Sequence, residues 1–253
     1  MSMSLSDTAA LVTGSSGGIG AATALSLAAQ GANVALVARR KDRLDELVER
    51  IQANGGTALA IEADITDQLQ AAAAVERTVE TFGGLDTLVN NAGIMLLGPA
   101  ESAPVEEWDR MIAINVQGLL YTTHAALPYL LTAAEGTRGT ADIVNVSSLA
   151  GRFPVAGSAV YSLTKQGVGA FSEALRQEVG GRHVRVSLIE PGPVSTELFT
   201  HIRPEVLEAG KEQWADSTFL HAEDIADTIA FVVTRPARVV MSELLVRPDG
   251  SQW

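Results

Sequence analysis

The chain has no cysteine among its 253 residues, which excludes disulfides, thiolate nucleophiles and cysteine-held metals. Its four histidines, His124, His183, His201 and His221, show no ligand spacing, so no metal is expected. Positive charge is scarce: 18 Lys and Arg stand against 30 Asp and Glu, a formal net charge of −12. A general nucleic-acid surface needs clustered cations, and none is expected. No apolar run is long enough to cross a bilayer, so no membrane partner is expected either. The opening MSMSLSDTAALVTGSS lacks a basic stretch followed by an apolar core, which points to a cytoplasmic protein.

What is present is a regular alternation of short apolar runs and helical patterns. Strands are predicted at 8–13, 33–38, 57–63, 85–91, 141–147, 184–189 and 239–246. Helices are predicted up to about residue 30, at 41–54 and 68–82, near 104–132, at 158–179 and near 222–234. Near-continuous apolar strands spaced by helices imply a parallel sheet covered on both faces. No linker rich in Pro, Gly and Ser divides the chain. The expectation is one doubly wound α/β Rossmann domain over 1–253, with a mostly parallel sheet flanked by helices. Two longer connections, 149–157 and 191–220, interrupt the alternation, and the second is read as a segment covering a substrate.

The turn after the first strand is TGSSGGIG, residues 13–20. Gly14 can make the turn, Gly18 can admit a pyrophosphate and Gly20 can allow close helix packing, with Ser16 and Ile19 beside them. A helix N-terminus there offers unpaired N–H groups to phosphate. The second strand ends at Ala38 followed by Arg39 and Arg40, where an acidic residue would favour a free ribose diol. Guanidinium forks grip phosphate, so NADP(H) is the expected cofactor. Asp64, beside Ile65, has two readings: an acceptor for the adenine amino group, or a cap for the helix beginning near Asp67. Asn90, Asn91, Ala92 and Gly93 end the fourth strand, where an amide can tie neighbouring strands and small residues leave room for a flat ring. Asn115 is a polar residue in the apolar RMIAINVQG; it can bend the helix through backbone groups or hold a water near Lys165.

Tyr161 and Lys165 lie four residues apart in a helical pattern, hence on one face, and Ser148 closes the strand DIVNVSS. An ammonium within several Å is expected to lower the phenol pKa, and the serine hydroxyl can hold a carbonyl oxygen against Tyr161.

TGSSGGIG, NNAG at 90–93, Ser148 with YSLTK, and PGPVST at 191–196 occur in this order over nearly the whole length, and together they resemble the short-chain dehydrogenase/reductase family. The resemblance implies a catalytic tetrad of Asn115, Ser148, Tyr161 and Lys165, with Tyr161 the proton donor in carbonyl reduction and Asn115 ordering a relay water. It implies cofactor contacts from Tyr161, Lys165, Asn91, Ala92, Gly93, Pro191, Gly192, Val194 and Thr196, and a homotetramer built on the long helices and last strand. NNAGIMLLGP, SSLAGR and LLVRPDGSQW further resemble the branch holding clavulanic acid dehydrogenase and hydroxy-acid or serine dehydrogenases. Substrate-pocket candidates are Met95, Leu96, Ala150, Arg152, Phe153, Val155 and Phe199, with His201 on the covering segment; Arg152 either meets a substrate carboxylate or lies on the surface. Glu190, just before PG, has no assigned role. The expected reaction is hydride transfer between nicotinamide and a small carbonyl or alcohol. The alternatives are a 3-oxoacyl-carrier-protein reductase and a nucleotide-sensing regulatory protein.

Overall fold

Side chains two apart on a strand share a face, and here both faces are buried. On β1 (Ala9–Thr13), Ala10 and Val12 enter one core while Leu11 enters the other. On β2 (Asn33–Ala38), Val34 and Leu36 join the first core, and Ala35 and Val37 the second. A computed structural model describes residues 4–208 and 218–250; residues 1–3, 209–217 and 251–253 lie outside it, and with them part of the expected covering segment.

The remaining strands are β3 (Thr57–Glu62), β4 (Thr87–Asn90), β5 (Ala141–Val146), β6 (Val184–Pro191) and β7 (Glu243–Val246). They form one seven-stranded sheet in the order β3-β2-β1-β4-β5-β6-β7, with every neighbouring pair parallel. Helices α1 (Gly18–Ala29), α2 (Lys41–Ala53) and α7 (Ala222–Val233) bury Leu27, Ile51 and Ile229 on one face. Helices α3 (Gln68–Phe82), α5 (Leu119–Ala134) and α6 (Ala159–Val179) bury Val75, Leu130 and Leu175 on the other. From β1 the chain winds outward to β3, then returns to lay β4 on the other side of β1. That reversal opens a crevice beyond the carboxyl ends of β1 and β4, the usual ligand position in such sheets.

The helix expected near 104–132 is interrupted. It runs as α4 (Val105–Ile112), a π-helical turn at Ala113–Gly118, and α5. Asn115 sits in that turn and binds both backbone groups of Ile94, accepting from its N–H at 2.8 Å and donating to its carbonyl at 2.9 Å. Asn115 does take up backbone groups, but those of Ile94 and not of its own helix. The last strand is shorter than expected, beginning at Glu243.

Candidate active site

The first helix starts against a turn that tolerates no side chain at Gly14 or Gly20. Gly14 has φ +66°, and a Cβ there would sit 2.7 Å from Ala92 Cα; one on Gly20 would sit 2.4 Å from the Gly14 carbonyl. The Asn91 amide closes the turn by donating to the Thr13 and Gly14 carbonyls at 3.0 and 3.3 Å. The N-cap of α1 is Gly17, with no side chain capping the helix. Its first-turn N–H groups are therefore left for a ligand, and the helix dipole favours an anionic one. Arg40 stands beside them, donating to Ser16 Oγ at 3.1 and 3.0 Å and pairing with Glu197 at 2.9 Å. Arg39 has no hydrogen bond or ion pair among the described residues. Asp64 Oδ1 accepts from the N–H and hydroxyl of Thr66 at 3.0 and 2.8 Å. The cap of α3 is Asp67, bonded to the N–H groups of Leu69 and Gln70, which leaves Asp64 facing the crevice.

At the far end, α6 brings Tyr161 and Lys165 to one face, and both are buried, 5% and 6% exposed. Ser148, two residues past the end of β5, stands beside the Tyr161 phenol and accepts from the Ala150 N–H at 3.1 Å. Lys165 donates from Nζ to the Val146 carbonyl at 2.9 Å, and Nζ lies 5.9 Å from the Tyr161 ring centroid. Burial pushes the Tyr161 phenol above its ordinary pKa, opposed by the neighbouring Ser148 hydroxyl. The expected lowering by Lys165 is therefore not seen: desolvation of the phenolate outweighs an ammonium turned toward a carbonyl. Burial also lowers Lys165, to about 8. Asn115 spends its second amide hydrogen on Thr164 Oγ1 at 3.1 Å. Its Oδ1 and Lys165 Nζ flank Gly93, 3.2 and 3.5 Å from where a Cβ would stand.

Both ends belong to one cleft of about 960 Å³. The profile of the short chain dehydrogenase family matches residues 8–207. The chain belongs to that family. It is 37% identical over 245 residues to sulfoacetaldehyde reductase 2 of Chromohalobacter salexigens, covering 96% of this chain and 95% of that protein. Its fold superposes on the closed form of a serine dehydrogenase complexed with NADP+ at a TM-score of 0.88, with 32% identity and 97% of each chain covered. A short chain dehydrogenase of Burkholderia cenocepacia in complex with NADP gives a TM-score of 0.83 at 33% identity, covering 96% and 97% of the two chains. The protein is thus an oxidoreductase of the short chain dehydrogenase family, acting on small molecules. No helix among the described residues is long and apolar enough to cross a membrane.

The family motifs all reach this cleft. Gly14, Ser16, Gly18, Ile19, Arg39, Arg40, Asp64, Ile65, Asn91, Ala92, Gly93, Pro191, Gly192, Val194 and Thr196 line it together with Ser148, Tyr161 and Lys165. Gly20 does not line it, because it lies behind the turn as a packing residue. Of the substrate-side candidates, Met95, Ala150, Phe153, Val155, Phe199 and His201 face the cleft, and two do not. Leu96 is buried in the cluster of Ile94, Met111 and Tyr161, and Leu97 takes its place on the wall. Arg152 turns away from the cleft, donating Nε to Glu190 at 2.6 Å and Nη2 to Glu243. Burial raises the Glu190 pKa, opposed by Arg152. Sequence reasoning also missed Glu197, whose partner Arg40 is 157 positions away.

Proposed function

We propose that the protein is an NADP(H)-dependent reductase of small aldehydes or ketones, also able to oxidise the corresponding alcohols. The observation that carries this reading is the half-buried Ser148 beside the buried Tyr161 and Lys165, all opening onto the same cleft as the uncapped N-terminus of α1. The cleft fits a dinucleotide on its own geometry: Gly14, Gly18 and Gly93 keep clear the backbone that side chains would crowd. The pyrophosphate falls to Gly14, Ser16, Gly18 and Ile19, the adenine to Asp64 and Ile65, and the nicotinamide side to Pro191, Gly192, Val194 and Thr196. Arg39 and Arg40 favour a phosphorylated ribose. The NADP-bound structures of relatives support that preference.

Bound there, a nicotinamide supplies or accepts the hydride at the carbonyl carbon. Ser148 donates a hydrogen bond to the carbonyl oxygen and holds it against Tyr161. Tyr161 transfers its proton to that oxygen as the alcohol forms, and the Lys165 ammonium stabilises the phenolate left behind. Asn115, through the remaining lone pair of Oδ1, orders the water that returns a proton. The raised phenol pKa keeps Tyr161 protonated at neutral pH, so reduction is favoured there and oxidation gains as pH rises. The segment from Glu197 to Val206 and Phe219 form the cover over bound substrate. The exposed apolar side chains Ile112, Leu120 and Leu163 support assembly into a homotetramer through the long helices.

The test is the initial rate of NADPH and of NADH oxidation against a panel of aldehydes, ketones and keto acids. Strong NADPH preference with carbonyl turnover is expected. Equal or better NADH use would overturn the cofactor assignment, and nucleotide binding without any turnover would overturn the reductase.

A further inference from the structure

The two ends of the cleft have opposite chemistry. Charged side chains line the end near α1: Arg39, Arg40, Asp64 and Glu197. Beyond Tyr161 the wall is built from Met95, Leu97, Ile114, Phe153, Phe199 and Phe219, with the His201 imidazole on the rim. Phe153 is nearly half exposed, 47%, at the mouth, and Phe199 packs edge-on to Phe219 with centroids 5.5 Å apart.

Two arginines stand just behind this wall, and each is occupied by two carboxylates. Arg152, the residue before Phe153, is held by Glu190 and Glu243. Arg203 has Nε 3.1 Å from Glu107 and Nη1 3.1 Å from Glu205, while its Nη2 is buried beside Gly98 without a hydrogen-bond partner among the described residues. Neither guanidinium lines the cleft. Each arginine with its two glutamates carries a net negative charge. A carboxylate or sulfonate entering this end would lose its hydration against walls that carry no Lys or Arg; the unpaired guanidinium nearby, Arg247, lies over the Phe153 ring, 5.1 Å from its centroid, and does not line the cleft.

Resting on the reductase reading above, we infer that this end takes an uncharged, largely apolar carbonyl compound, and that the paired glutamates withhold Arg152 and Arg203 from anionic ones. Discrimination against a competitor is built as much by leaving its charge unpaired as by fitting the favoured ligand. Arg152 is the sharper case, because Glu190 is itself buried, 3% exposed, and reaches it from the strand that leads into the nicotinamide-side loop.

The experiment compares kcat/KM for size-matched pairs with NADPH: the neutral 4-formylbenzamide against 4-carboxybenzaldehyde, and hexanal against succinic semialdehyde. The neutral member is expected to win by about a hundredfold or more. Each methylene from butanal to hexanal should add about fourfold. In Glu190→Gln the ratio for the aromatic pair should narrow at least tenfold as Arg152 is released; a purely structural role would lower both members alike. If that variant fails to fold, Glu243→Gln, on the exposed side of Arg152, gives the same reading. Anionic carbonyls turned over as well as their neutral partners would overturn the inference and leave the reductase standing. No turnover of any carbonyl, with either nicotinamide, would overturn both.

Discussion

The two edges of this one sheet treat buried charge in opposite ways. At the amino edge, Asp142 opens β5 fully buried and takes a two-pronged grip from Arg185, Nε to Oδ1 at 2.7 Å and Nη2 to Oδ2 at 2.9 Å. Arg138 adds a bond to Oδ2 at 2.8 Å. The spare donors of both arginines reach carbonyls at Val233, Arg235 and Val239, which fastens the end of α7 and the following turn to the sheet. At the carboxyl edge, Lys165 is equally buried but meets a single carbonyl and no carboxylate. Neighbouring charges are neutralised where the sheet needs holding. They are left uncompensated where a proton must move, which is how a perturbed pKa marks a reacting site.

Removing the central acid should have the largest effect. Asp142→Asn leaves two buried guanidinium groups without their anion and should lose about 4 kcal/mol of stability, measured by urea denaturation. A loss below about 1 kcal/mol would mean that the backbone carbonyls alone satisfy the arginines.

Lys165 should show the opposite sign. Its pKa lowered to about 8 corresponds to about 3 kcal/mol of strain on the folded state at neutral pH, offset by about 1 kcal/mol from the carbonyl bond. Lys165→Met should therefore be about 2 kcal/mol more stable and severely impaired in turnover. Between the folded value near 8 and the unfolded value near 10.5 the unfolded chain holds the extra proton, so wild-type stability rises with pH across that window. The advantage of the variant should shrink over the same range. A variant less stable than wild type at neutral pH would show that Lys165 is structural.

The smallest effect belongs to the cleft's other end. Arg39→Ala should leave the melting temperature unchanged and cut the NADPH-over-NADH ratio of kcat/KM about tenfold, because one charged phosphate contact is lost. An unchanged ratio would shift phosphate recognition wholly to Arg40.

Most of the fold was legible because its signals are local. Strand parity, the glycines of the first turn and the Tyr161–Lys165 spacing depend on residues within a few positions of one another, and each found its place. What escaped depends on partners distant in sequence. Nothing near Arg152 announces that Glu190 and Glu243 will turn it from the cleft, and nothing near Arg40 announces Glu197. The direction of the Tyr161 shift was misjudged for the same reason: the helix spacing brings an ammonium close, but the depth of burial that outweighs it comes from the tertiary structure. Leu96 and Leu97 are adjacent and alike, and only their tertiary surroundings place one in the core and the other on the wall.

The most direct test of the proton-donor assignment is Tyr161→Phe, with turnover, NADPH affinity and melting temperature measured on the same preparation. The expected result is a fall in kcat of about a thousandfold, with nucleotide binding retained and melting temperature unchanged or higher. Turnover within tenfold of wild type would contradict the assignment, as would a loss of turnover that simply follows a loss of folding.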